Sequence, residues 1–222
     1  MATILDGPRR SALSGKADSL VVFLHGHFAN GDDLIALADL MGESLPDTAF
    51  VAPNAVEQMD YAGPPAYRWF ELNRRDPQEY IAGARAAAPA LDSFLDAELQ
   101  RLGLPPDRLA LVGFSQGTMM ALHVGLRRRS APAAIVGLSG VIAGADELRN
   151  EIACRPPVLL IHGSHDEVIP VGALYLTREA VSAAGVPVDC HVCEGLGHGI
   201  DDEAVERTEA FLARQLESRG KV

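Results

Sequence analysis

The chain has 222 residues, 48% hydrophobic and 22% charged, with a formal net charge of −11. That length and balance fit a single α/β domain over residues 1–222 with a sizeable core, and exclude wholesale disorder. The acidic charge disfavours nucleic acid and anionic membrane surfaces as partners, and no apolar run reaches the roughly eighteen residues that a bilayer span needs.

From the N-terminus, Asp6, Arg9 and Arg10 interrupt the stretch to Ser14, which lacks the apolar core of a signal peptide. Leu20–Leu24 is the first short apolar run, followed by the amphipathic stretch Asp32–Leu45 and a second run, Ala49–Ala52. A long irregular segment, Pro53–Asp76, leads into a helix expected over Pro77–Leu102, with Pro77 in its first turn and Gly103 at its end. Further strands are expected at Leu109–Val112, Ala134–Leu138, Val158–Ile161 and Val186–Val192, and further helices over Thr118–Arg127, Val171–Ala184 and Asp202–Leu216. Unbroken apolar runs indicate strands covered on both faces. Their alternation with helices indicates right-handed crossovers and a mostly parallel, doubly wound sheet. The triplet Arg127-Arg128-Arg129 reads as a solvated helix end.

Three cysteines, Cys154, Cys190 and Cys193, give no disulfide framework, and the expected location is the cytoplasm. Cys190 and Cys193 form a C-x-x-C, but it lies within an expected strand. Residues three apart on a strand face opposite sides, so the two thiols do not converge and no metal site is expected from them.

The sharpest motif is Gly113-Phe114-Ser115-Gln116-Gly117, between an expected strand and an expected helix. This is the context of a nucleophile elbow, where small neighbours let strand and helix pass closely and the turn lifts the serine clear of the sheet. The other reading is a plain strand-to-helix turn with a serine cap. A serine hydroxyl needs a base, and after such an elbow the partners follow in the order acid, histidine. Of the seven histidines, His25 and His27 precede the serine, His123 lies two turns along the following helix, and His191 lies within a strand. His198 sits in the glycine-flanked loop Glu194–Gly199 at the expected carboxyl edge of the sheet, where ligands bind in such folds. For the acid, Asp166 follows the fifth strand and is placed to orient the imidazole. Its rivals are Glu167, Asp146 and Asp189, and His162 and His165 shape the same loop.

Taken together, Phe23-Leu24-His25-Gly26, the Ser115 motif, His162-Gly163-x-x-Asp166-x-Val168-x-Pro170, Gly197-His198 and Trp69-Phe70 resemble the carboxylesterase and phospholipase family that includes acyl-protein thioesterases. The resemblance spans residues 20 to 200. It implies an α/β-hydrolase fold without a large cap domain, acting on a small-molecule carboxylic ester or thioester through an acyl-enzyme, with no metal or cofactor. It further implies an oxyanion hole from the backbone N–H groups of Gln116 and His27. The chain departs from the family at His27-Phe28, where an apolar residue and a glycine are usual, and at Glu71, where an Asp follows the Trp-Phe. Phe28, Met59, Trp69, Phe70, Ile169 and Leu196 are the expected pocket residues, and the long loop offers Tyr61 as well. The leading expectation is an esterase for short or medium acyl chains. An acyl-protein thioesterase or lysophospholipase, and a non-catalytic binding module, are the alternatives. The sequence leaves a homodimer open.

Overall fold

Leu20, Val22 and Leu24 belong to one buried cluster, and Val21 and Phe23, between them, belong to another. The strand is thus apolar on both faces because both faces are covered. The same division separates Leu109 and Leu111 from Ala110 and Val112. The computed structural model describes residues 4–217. Its strands are β1 (Arg9–Arg10), β2 (Ser19–Leu24), β3 (Thr48–Val51), β4 (Glu57–Gln58), β5 (Tyr67–Arg68), β6 (Leu109–Phe114), β7 (Ala134–Leu138), β8 (Val158–Gly163) and β9 (Val188–Cys193). Seven of them form one sheet in the order β1-β3-β2-β6-β7-β8-β9, parallel except for the antiparallel β1–β3 edge.

The helices are α1 (Gly31–Ile35), α2 (Leu37–Met41), α3 (Pro77–Leu102), α4 (Gln116–Gly125), α5 (Leu148–Glu151), α6 (Gly172–Ala183) and α7 (Asp202–Glu217). Apolar residues of α3, α4 and α6 fill one face of the sheet; those of α1, α2 and α7 fill the other. This is the α/β-hydrolase fold that the resemblance implies. The chain leaves β2 toward β3 on one side and returns to β6 on the other. The crevice at that reversal, beyond the carboxyl ends of β2 and β6, is where such a sheet binds ligands.

Helix α3 has the expected bounds, with Asp76 accepting from Glu79 N–H at 2.8 Å and Gly103 at φ 68° closing it. It continues through Pro89, which removes one ladder bond, because Ile81, Ala84, Ala87, Leu91 and Leu95 form one buried face that, apart from Ile81, joins the main core cluster alongside α4. The stretch expected as one helix over 32–45 is instead two short helices that meet at Ala36, and the first starts at a capping box between Asn30 and Asp33. The irregular segment 53–76 contains the hairpin β4–β5, held by an Arg68–Glu57 ion pair.

Arg127 and Arg128 of the basic triplet depart from their expected place at a solvated helix end, whereas Arg129 is exposed as expected. Arg128 is buried and ion-paired with Asp92 and Asp96 of α3, and Arg127 pairs with Glu151 of α5. These charges lock the end of α4 to its neighbours rather than face solvent.

His123, on α4, is buried, and burial followed by the nearby Arg127 charge lowers its pKa to about 4. The unfolded chain takes up this proton near the ordinary value of 6.5, whereas the folded protein resists it. The stability this residue contributes is therefore complete above pH 6.5 and is lost as pH falls toward 4. The expected loss is about 2 kcal/mol. Denaturant melts of the wild type and His123→Gln across this window test it, since the neutral amide should flatten the slope. Parallel pH profiles would show that His123 contributes nothing.

Candidate active site

Strand β6 ends in Gly113-Phe114, and the chain then turns sharply at Ser115, whose φ of 55° and ψ of −115° lie outside the ordinary regions. Two glycines permit the turn. A Cβ on Gly113 would stand 2.3 Å from the Gly117 carbonyl oxygen, and one on Gly117 would stand 1.8 Å from that of Leu24. A larger residue at either position would push α4 away from β6 or β2. The Ser115 N–H is fixed to Leu138 O at 2.9 Å, so its backbone is held whatever the side chain does.

Ser115 Oγ lies 3.0 Å from His198 Nε2, and His198 Nδ1 lies 2.8 Å from Asp166 Oδ2. Three residues from separate carboxyl-edge loops, after β6, β8 and β9, thus form one continuous hydrogen-bonded chain. Asp166 is buried, and its other oxygen accepts the N–H groups of Val168 and Ile169, each at 2.9 Å. Burial alone would favour its neutral form, but bonds from His198, Ile169 and Val168 outweigh that and hold its pKa below the ordinary value. The rival acids stand apart from this chain: Glu167, Asp146 and Asp189 are all exposed. The Phe114 ring packs beside the His198 ring, centroids 4.9 Å apart.

The loop after β2 lies against the serine. A Cβ on Gly26 would be 3.2 Å from Ser115 Cβ. His27 follows, half-buried, and then Phe28 at φ 64°, in the left-handed region that a glycine adopts without strain. Phe28 keeps this conformation because its N–H donates to Tyr67 O at 3.0 Å and its ring packs on Tyr61 with centroids 4.7 Å apart. Its side chain is 48% exposed. Ile169 and Leu196 are half-buried on the Asp166 and His198 loops, and Met59 is half-buried on the β4–β5 hairpin.

Trp69 and Phe70 depart from the expectation that they line a pocket. Trp69 is 1% exposed and Phe70 6%, both within the main core cluster. The Trp69 indole N–H donates to His25 O at 2.9 Å, and its backbone N–H donates to Gln116 Oε1, also at 2.9 Å. The Gln116 amide group completes the clamp by donating to Phe70 O at 2.8 Å. Sequence reasoning misses this role of the Gln116 side chain, which is fully buried. It also passes over His25, which is fully buried as well. Its Nδ1 bonds Gly26 O at 2.7 Å and its Nε2 lies 3.0 Å from the donating Ala55 N–H, so the proton sits on Nδ1. Burial lowers its pKa and keeps it neutral. His162, also buried, places Nε2 2.7 Å from Ile169 O and 3.2 Å from Asp166 Oδ2. The signal for the two histidines is a polar residue at the end of an apolar strand, and for Gln116 a polar residue opening the apolar helix α4; a buried polar group needs partners.

The family profile described as phospholipase/carboxylesterase matches residues 11–216. The chain belongs to the phospholipase/carboxylesterase family. As a member of it, the protein is a serine hydrolase of the α/β-hydrolase fold. Acyl-protein thioesterase 1 of Gibberella zeae is 27% identical over 213 residues, covering 88% of this chain and 90% of the relative. Esterase YpfH of Escherichia coli is 26% identical over 194 residues, covering 86% and 80%. Among solved structures, esterase PE8 superposes with a TM-score of 0.91 at 43% identity, covering 96% of this chain and all of that one (100%). Acyl-protein thioesterase 2 of Zea mays, at 24% identity and a TM-score of 0.76 over 95% of this chain and 99% of its own, shares the fold. No helix among the described residues is long and apolar enough to cross a membrane.

Proposed function

We propose that the protein is a carboxylesterase for short- to medium-chain esters, with Ser115 as nucleophile, His198 as base and Asp166 as acid. The observation that carries this is the unbroken Ser115–His198–Asp166 hydrogen-bonded chain at 3.0 and 2.8 Å. Ser115 Oγ attacks the carbonyl carbon as its proton passes to His198 Nε2, and Asp166 stabilises the imidazolium. The backbone N–H groups of Gln116 and His27 receive the oxyanion, each worth about 2.7–4 kcal/mol in the transition state. Collapse breaks the bond to the leaving oxygen, which takes the proton from His198 and departs as the alcohol. Water then attacks the acyl-serine by the same route, and the acid is released.

The acyl chain meets Phe28, Ile169 and Leu196, which stand on the loops around the triad, with Met59 on the β4–β5 hairpin beyond them. Trp69 and Phe70 act from beneath by fixing the loop that Gln116 grips. Trp69→Ala should therefore destabilise the fold by about 3–5 kcal/mol, because it empties a fully packed site. That corresponds to a fall in melting temperature of roughly 10 °C. The ratio of kcat/KM between butanoate and octanoate esters should stay unchanged. A changed ratio at an unchanged melting temperature would make Trp69 a pocket wall.

One feature supports shorter chains, and one supports oxygen esters. Phe28 and Val168, on the His27 and Asp166 loops, and Tyr61, packed on Phe28, are exposed rather than enclosing a deep channel. The structural match to esterase PE8, at a TM-score of 0.91, is to an esterase by name. The thioesterase relatives favour acyl-protein thioesters as the second reading. A series of p-nitrophenyl esters from acetate to palmitate, run beside the matching acyl thioesters, decides between them. Highest kcat/KM on short or medium oxygen esters is expected; a maximum at palmitoyl thioester would establish the second reading.

A further inference from the structure

Strand β9 is the edge of the sheet, and its residues alternate between the two faces. Cys190 and Val192 pack on the cluster shared with α6, while Cys193 is buried in the cluster shared with α7. The two thiols of the C-x-x-C are thus separated by the sheet. His191 shares the Cys193 face, two residues away, and the first turn of α7 brings Glu203 onto it. The ligand atoms of His191, Cys193 and Glu203 all lie within 4.8 Å of one another. His191 Nε2 is shielded from solvent and makes no well-angled hydrogen bond among the described residues, although Glu203 Oε1 lies 2.9 Å away.

We propose that His191, Cys193 and Glu203 form a site for a zinc-like divalent cation that joins β9 to the start of α7. The donor set of thiolate, imidazole and carboxylate suits Zn²⁺ rather than Ca²⁺ or Mg²⁺. Tetrahedral zinc, with bonds of roughly 2.0–2.3 Å, needs its ligand atoms closer than they stand here. Glu203 closes the gap, because it is exposed and, among the described residues, paired with His191 and its helix neighbour Arg207. The fourth position falls to water, beside the Asp201 carboxylate. When the metal–sulfur bond forms, the Cys193 proton leaves to solvent. The Glu203 carboxylate beside His191 puts negative charge on this face, which favours a cation. An ion here fixes both ends of the segment 194–201, which carries His198, and so braces the loop independently of the chemistry at Ser115.

The test uses the full chain titrated with Co²⁺, followed by its sulfur-to-metal charge-transfer absorption, with Zn²⁺ as competitor. One Co²⁺ per chain with a thiolate band is expected, displaced by Zn²⁺. Zn²⁺ should also raise the melting temperature. Cys193→Ser should abolish the band, and Glu203→Gln, an exposed change that leaves the core intact, should weaken binding on the order of 10–100-fold. Cys190→Ser, on the other face, should change nothing. Absence of a thiolate band in the wild type overturns the proposal. So does a band that is lost with Cys190→Ser, or one that survives Glu203→Gln at unchanged affinity; these two outcomes decide even if Cys193→Ser does not fold.

Discussion

Ser115→Ala is expected to abolish ester turnover while leaving the fold intact. The loss should be on the order of 10⁴-fold or more, the scale seen when a nucleophile is removed from a serine triad. The fold should survive because the elbow does not depend on the hydroxyl. Its unusual φ is imposed by the Ser115 N–H bond to Leu138 O and by the close approaches at Gly113 and Gly117. Alanine has the same Cβ and meets the same strain. Among the described residues, the side-chain bond lost is the 3.0 Å contact to His198. The check is kcat/KM on a short-chain ester together with a thermal melt. Near-wild-type activity would remove Ser115 from the mechanism, and a lost transition on melting would show that the hydroxyl holds the turn.

The second large effect is expected at Asp166→Asn, again on the order of 10⁴-fold. Here the local geometry says why an isosteric change is so costly. The N–H groups of Val168 and Ile169 both donate to Asp166 Oδ1, so they will hold the amide oxygen of an asparagine at that position. Its NH₂ group then faces His198 Nδ1, now 2.8 Å from Oδ2. The imidazole must turn Nδ1 into an acceptor and carry its proton on Nε2, where it cannot receive one from Ser115. Asp146→Asn provides the contrast, since Asp146 is exposed after β7 and outside the hydrogen-bonded chain. Its activity should match the wild type. Reversed results for the two variants would place the acid after the fourth parallel strand instead of the fifth.

Much of this arrangement is legible in the amino-acid sequence. Five of the six parallel strands declare themselves as apolar runs because helices cover both faces, the edge strand β9 being the mixed one, and helix 77–102 declares itself through Pro77 and Gly103. Ser115 and His198 can be placed because glycines mark the sharp turns on which they sit. What stays hidden is decided by partners distant in sequence. The two-residue β1 exists only through pairing of Arg9 and Arg10 with Val51 and Phe50. Arg128 reads as solvent-facing until Asp92 and Asp96 of another helix meet it. Trp69 reads as a pocket wall because it is the sole tryptophan in a long loop, yet Gln116 and His25 draw it into the core. His191, Cys193 and Glu203 converge only once α7 folds back on β9, and the more conspicuous C-x-x-C spacing points to a different pair.

In the proposed mechanism Ser115, activated by His198, is the reacting group. Labelling with a fluorophosphonate, followed by mass mapping of the adduct, tests it most directly. One adduct per chain on the peptide containing Ser115 is predicted, absent from Ser115→Ala and slowed sharply in His198→Gln. An active esterase that takes no label, or takes it on another residue, would exclude Ser115 as the nucleophile.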